Sequence, residues 1–136
     1  MPSPEETVRA ARPGHSVVGW RLDRRQRAAM IERIKPAYAN VVADHVTLAA
    51  NVAANTPLPD AVAAEAIGRI DDGRGVEALV VAVEGTIGRP GGGTYHITWS
   101  LGSGRRAKES NDALAARAWQ PLPEPIALEL TPARWP

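Results

Sequence analysis

Two segments of the chain share one pattern, Asp44-His45-Val46-Thr47-Leu48 and Tyr95-His96-Ile97-Thr98-Trp99. In an extended strand successive side chains alternate between faces, so His45 and Thr47 share one face while Val46 and Leu48 share the other. His96 with Thr98, and Ile97 with Trp99, divide in the same way. Each segment therefore presents an imidazole beside a hydroxyl and turns an apolar pair inward. Threonine is sparse, 7 of 136 residues, yet it stands two places after two of the three histidines; His15, followed by Ser16 and Val17, lacks the pattern. Two imidazoles facing one cleft can divide general acid and general base duties, because an ordinary pKa of about 6.5 lets one ring be neutral and the other protonated. Phosphodiester cleavage needs that division: one ring takes a proton from an attacking water, and the other gives one to the leaving oxygen. Threonine hydroxyls beside the rings would hold the non-bridging phosphate oxygens, with no metal required.

The elements that must position these pairs can be read along the chain. Ser16 to Leu22 reads as a strand, followed by Asp23 as the cap of an amphipathic helix Arg24 to Lys35, with Gln26 three residues after the cap and Pro36 as its stop. Val41 to Val52 holds the first motif, and residues 55 to 60 then break regular structure. Residues 65 to 70 and 76 to 84 form a hairpin about Asp71-Asp72-Gly73-Arg74-Gly75. Thr86 to Gly93 is a Gly-rich loop, Thr94 to Leu101 the strand of the second motif, and Gly102 to Lys108 a basic loop. Ser110 is placed to cap a short helix, Asn111 to Trp119. A last strand spans Ile126 to Thr131. Two helices among about six strands, without regular βαβ alternation, predict an α+β fold with mostly antiparallel sheet.

A length of 136 residues fits one domain, assigned to residues 16–136 behind a flexible N-terminal segment, 1–15. No apolar run approaches the roughly 20 residues that span a bilayer, and the first fifteen residues lack the apolar stretch of a secretory signal. A cytoplasmic location without membrane attachment is the expectation. The absence of cysteine excludes disulfides, thiolate metal sites and a cysteine nucleophile. A net charge of +1 argues against wrapping a long polyanion and favours a small nucleotide or an RNA end.

The two motifs resemble those of the 2H phosphoesterases, a family marked by two His-x-Thr/Ser-x motifs on strands of two pseudo-symmetric lobes. His45-Val46-Thr47-Leu48 and His96-Ile97-Thr98-Trp99 match them, 51 positions apart (96 minus 45), with the hairpin between. The short chain, the strand Gly75 to Val81 and the segment Lys108-Glu109-Ser110-Asn111 look most like the cyclic phosphodiesterase domain of fungal-type tRNA ligases and its bacterial RNA-repair-like relatives. The resemblance implies a two-lobed, mostly antiparallel fold with pseudo-twofold arrangement and flanking helices. It also implies cofactor-free cleavage of a 2′,3′-cyclic phosphate, or a related cyclic or 2′-5′ linkage, on a nucleotide or RNA terminus. His45 and His96 would be acid and base in unassigned order, Thr47 and Thr98 phosphate ligands, and other RNA-repair components its partners.

Other residues have competing readings. His45, His96 and Asp44 form a two-histidine, one-carboxylate set of the kind that binds metals, but alternation along a strand would turn Asp44 away from His45, so no metal site is assigned. Arg105 and Lys108, with Arg106, can attract a phosphate or simply be solvated. Ser110 and Asn111 can cap a helix and contact an anion at once. Tyr38 is the aromatic most available to stack on a base, since Trp99 and Tyr95 fall on the buried side of their strand. Gly91-Gly92-Gly93 lacks the Lys-Ser/Thr of a P-loop and reads as a flexible cleft edge. A non-catalytic alternative uses the same cleft to bind or sense a cyclic or terminally phosphorylated nucleotide.

Overall fold

In the computed structural model, which describes residues 2–136, alternating apolar residues build two antiparallel sheets that face each other. The elements in order are α1 (Pro4–Ala10), β1 (Pro13–Leu22), α2 (Arg24–Arg33), β2 (Asn40–Val41), β3 (His45–Val52), β4 (Ala64–Asp71), β5 (Val76–Val83), β6 (His96–Leu101), α3 (Glu109–Ala116), β7 (Gln120–Leu128) and β8 (Leu130–Trp135). One sheet has the order β3-β1-β8 and the other β2-β6-β5-β4-β7, with every neighbouring pair antiparallel. The described residues are thus α+β, with three helices and two sheets among them.

The main core lies between the sheets. Trp20, Leu22, Val46 and Leu48 come from the three-stranded sheet, and Leu79, Val81, Ile97 and Trp99 from the five-stranded one. Trp20 meets Tyr95 edge-on at 6.0 Å, and the two core indole N–H groups have acceptors: Trp20 donates to the Asp60 carbonyl and Trp99 to that of Ile34. A second cluster packs Ile70, Val76, Ala78 and Leu101 against Ala113 of α3. β5 is consequently covered on both faces, which is why its sequence is a continuous apolar run broken only by Glu77.

The hairpin β4–β5 and the Asp23 cap, whose carboxylate accepts the Gln26 N–H at 3.0 Å, match the sequence reading. Four features differ from it. The N-terminal segment expected to be flexible carries α1, capped by Ser3, which accepts the Glu6 N–H; its Thr7 is buried, and Val8 packs on the core. α2 ends at Arg33, because Pro36 disfavours helical backbone just before it and Ile34 has already left the helical region, with φ −117° and ψ 87°. α3 begins at Glu109, so Ser110 lies inside the helix and caps nothing. The last strand is two: β7 completes the five-stranded sheet, and after the single residue Glu129 the chain joins the other sheet as β8. The prolines of β7 are tolerated because it is an edge strand. Among the described residues no helix is long and apolar enough to cross a membrane.

Candidate active site

The two motifs meet because the chain changes sheets beside them. Residues 40–43 run along β6, with the Val42 and Ala43 N–H groups bonded to the Trp99 and Thr98 carbonyls. The chain then leaves β6 and enters the other sheet as β3, starting at His45. Close approach of β1 sets the register there. Gly19 lies opposite Thr47, and a Cβ at Gly19 would fall 2.2 Å from the Val46 carbonyl oxygen, so any side chain would push the strands apart.

Val46, Leu48, Ile97 and Trp99 point into the core, while His45, Thr47, His96 and Thr98 line one cleft of about 590 Å³. Arg89, Lys108 and Asn111 also line it, together with the apolar Val8, Val17 and Ala49. Both imidazoles are tethered through Nδ1. His96 is 8% exposed, and its Nδ1 lies 2.8 Å from the Thr94 carbonyl oxygen. A carbonyl only accepts, so Nδ1 carries the proton, and the neutral ring keeps its lone pair on Nε2. His45 is more open, with 30% of its side chain exposed; its Nδ1 is 3.0 Å from the Asp44 carboxylate, and its ring packs on Trp135 with centroids 4.4 Å apart.

The two rings differ in burial. Burial lowers the His96 pKa below its ordinary value; the nearby charges of Arg89 and His45 add to this, against an opposing contribution from the Thr94 bond. Burial alone would raise the Asp44 carboxyl, but hydrogen bonds from His45 and Arg24 outweigh it and hold it below the ordinary value. Asp44 thus stays an ionised acceptor for His45 Nδ1.

Lowering the His96 pKa makes stability pH-dependent. Between the folded pKa and about 6.5 the unfolded chain binds more protons, so this contribution is fully present above about pH 6.5 and is lost as pH falls through the folded value. Thermal unfolding should show Tm falling as pH drops below about 6.5, and His96→Gln should flatten the decline. A variant with the wild-type slope would exclude His96 as the source.

Thr98 Oγ1 lies 2.9 Å from Ser110 Oγ and donates to the Ala107 carbonyl at 3.3 Å. Ser110 is fully buried behind Thr98 and does not line the cleft, which fits a hydroxyl that orients its neighbour. Lys108 and Asn111 do line it. Tyr38 and Arg105 lie elsewhere. The Tyr38 hydroxyl donates to Asp71 Oδ1 at 2.5 Å, and its N–H to Ser100 Oγ, beside a network around the fully buried Glu77. Arg105 pairs with Glu109 at 2.7 Å and with Asp72 at 3.3 Å near the β4–β5 turn, so its charge is already balanced.

Two residues of the site are not legible from strand alternation. Asp44 precedes the first residue of β3, so the alternation that would turn it away from His45 does not apply. Arg89 lies in the Gly-rich loop, and its signal is a lone cation among Gly88, Pro90 and Gly91–Gly93, just before the second motif. Among the described residues no three His, Cys, Asp or Glu side chains are grouped to hold a metal ion. No family model, curated protein or solved structure matches the chain.

Proposed function

We propose that this cleft belongs to a cytoplasmic, metal-independent phosphodiesterase of 2H type that hydrolyses a 2′,3′-cyclic phosphate, or a related cyclic or 2′-5′ linkage, of a nucleotide or RNA end. One observation carries the reading: two strands of opposite sheets bring both His-Thr pairs to a single cleft, with their apolar partners buried. The two sheets then correspond to the two lobes of that family. An RNA terminus and other RNA-repair components are the partners the reading implies.

The environments suggest the division of labour. His96, kept neutral by burial with its Nε2 lone pair free, takes a proton from water as the water oxygen bonds to phosphorus. His45, held through Nδ1 by the Asp44 carboxylate, gives its Nε2 proton to the ribose oxygen as that P–O bond breaks. Exchange with solvent restores both rings. Thr47 donates to one non-bridging oxygen, and Thr98 to the other as its hydroxyl turns from the Ala107 carbonyl, with Ser110 Oγ donating to Thr98 Oγ1. Thr47→Ala or Thr98→Ala should therefore lower kcat/KM by about tenfold or more, the scale of one hydrogen bond to a charged group, with Thr→Ser recovering much of it. Steady-state kinetics on both pairs of variants checks this; a Thr47→Ala enzyme with normal kcat/KM would remove that contact.

The test of the whole reading is hydrolysis of the four nucleoside 2′,3′-cyclic monophosphates in excess chelator, with the product isomer identified. Chelator-resistant turnover supports it. Turnover abolished by chelator points to metal chemistry, and intact ligand recovered from a stable complex points to a binding module.

A further inference from the structure

Arg89 is a cation that the fold holds in place without neutralising it. Its Nε donates to the Gly92 carbonyl at 3.1 Å and its Nη2 to Asn111 Oδ1 at 3.0 Å, both uncharged acceptors. The loop wraps around this side chain: the Arg89 N–H bonds the Gly93 carbonyl and the Gly92 N–H the Arg89 carbonyl. Gly93 has φ +86, and a Cβ there would lie 2.5 Å from the Arg89 Nη2, so the glycine run is shaped to seat the guanidinium. No ion pair involves Arg89 among the described residues, whereas Arg24, Arg69 and Arg105 each face a carboxylate. Its cleft includes Arg12, Arg89 and Lys108 in its lining, and no Asp or Glu.

Charge accounting gives this cation a purpose. A cyclic phosphodiester carries one negative charge and two non-bridging oxygens. On the proposed function, Thr47 and Thr98 take those two oxygens, and the Arg89 guanidinium, tied only to uncharged acceptors, is left without an anionic partner. We infer that Arg89, clamped by Asn111 and the Gly92 carbonyl beside the His-Thr pairs, binds a second phosphate of the substrate, so that preferred substrates are nucleotides bearing a phosphate besides the cyclic one. The inference rests on the proposed function for the first phosphate only. A 5′-phosphomonoester and the upstream phosphodiester of an RNA end share the chemistry that Arg89 recognises.

The test compares three compounds on the full chain: adenosine 2′,3′-cyclic phosphate, the same compound with a 5′-phosphate, and a dinucleotide ending in the cyclic phosphate. The wild type should favour one or both of the latter by about tenfold or more in kcat/KM, the scale of one charge-assisted contact, and added salt should shrink the preference. Preference for the monoester alone identifies a free nucleotide; preference for the dinucleotide identifies an RNA end. In Arg89→Ala the ratio should fall to about one, and Arg89→Lys should retain part of it because the charge stays while the fork is lost. Equal rates for all three compounds in the wild type, or a ratio unchanged in Arg89→Ala, would overturn the inference while leaving the enzyme intact. If the wild type turns over none of them, the proposed function fails, and binding decides the inference by itself. Adenosine 3′,5′-bisphosphate should then bind more tightly than AMP to the wild type but not to Arg89→Ala, and equal affinities in the wild type would overturn it.

Discussion

His45→Ala and His96→Ala should each cut turnover of a nucleoside 2′,3′-cyclic phosphate by about 10²–10⁴, the scale of a lost general acid or base. Both rings border an open cleft, so their loss leaves the packing between the sheets in place and the fold should survive. The pH profile separates their roles. A base must be neutral, so the lowered His96 pKa puts the acidic limb of the wild-type kcat/KM profile below about pH 6.5. Residual activity of His96→Ala should lose that acidic limb. Kinetics across pH, with circular dichroism to confirm folding, checks both points. Near-normal rates in either folded variant would rule out a two-imidazole mechanism.

Trp99→Ala should destabilise the fold by about 3–5 kcal/mol, a large share of the roughly 5–15 kcal/mol that holds a domain together. Trp99 is fully buried, and its indole donates to the Ile34 carbonyl at 2.9 Å, so the substitution opens a cavity and also strands that carbonyl. This residue adjoins Thr98 in sequence and faces the opposite way. Thr98→Ala should thus impair phosphate contact and Trp99→Ala stability, one strand position apart. Urea unfolding of the two variants measures the contrast. A Trp99→Ala protein less than about 1 kcal/mol below the wild type would contradict the division of the strand into a core face and a cleft face.

What the sequence alone determined is local. Alternation sorted Val46, Leu48, Ile97 and Trp99 from His45, Thr47, His96 and Thr98, because a period of two is a property of the strand itself. The Asp23 cap and the Asp-Gly hairpin were readable for the same reason, since each is closed by residues within a few positions. What only the tertiary structure decided involves distant partners. The crossing at Ala43 brings positions 51 apart to one cleft; Ser110 becomes the partner of Thr98, a contact between elements; and Arg105 is drawn to Asp72 at another strand's turn. Asp44 reaches His45 because β3 starts one residue after it, and Arg89 reaches the site because its loop folds back against Asn111. Side-chain direction within an element follows from backbone geometry, whereas the company each side chain keeps follows from how the sheets pack, and that depends on contacts no short window of sequence contains.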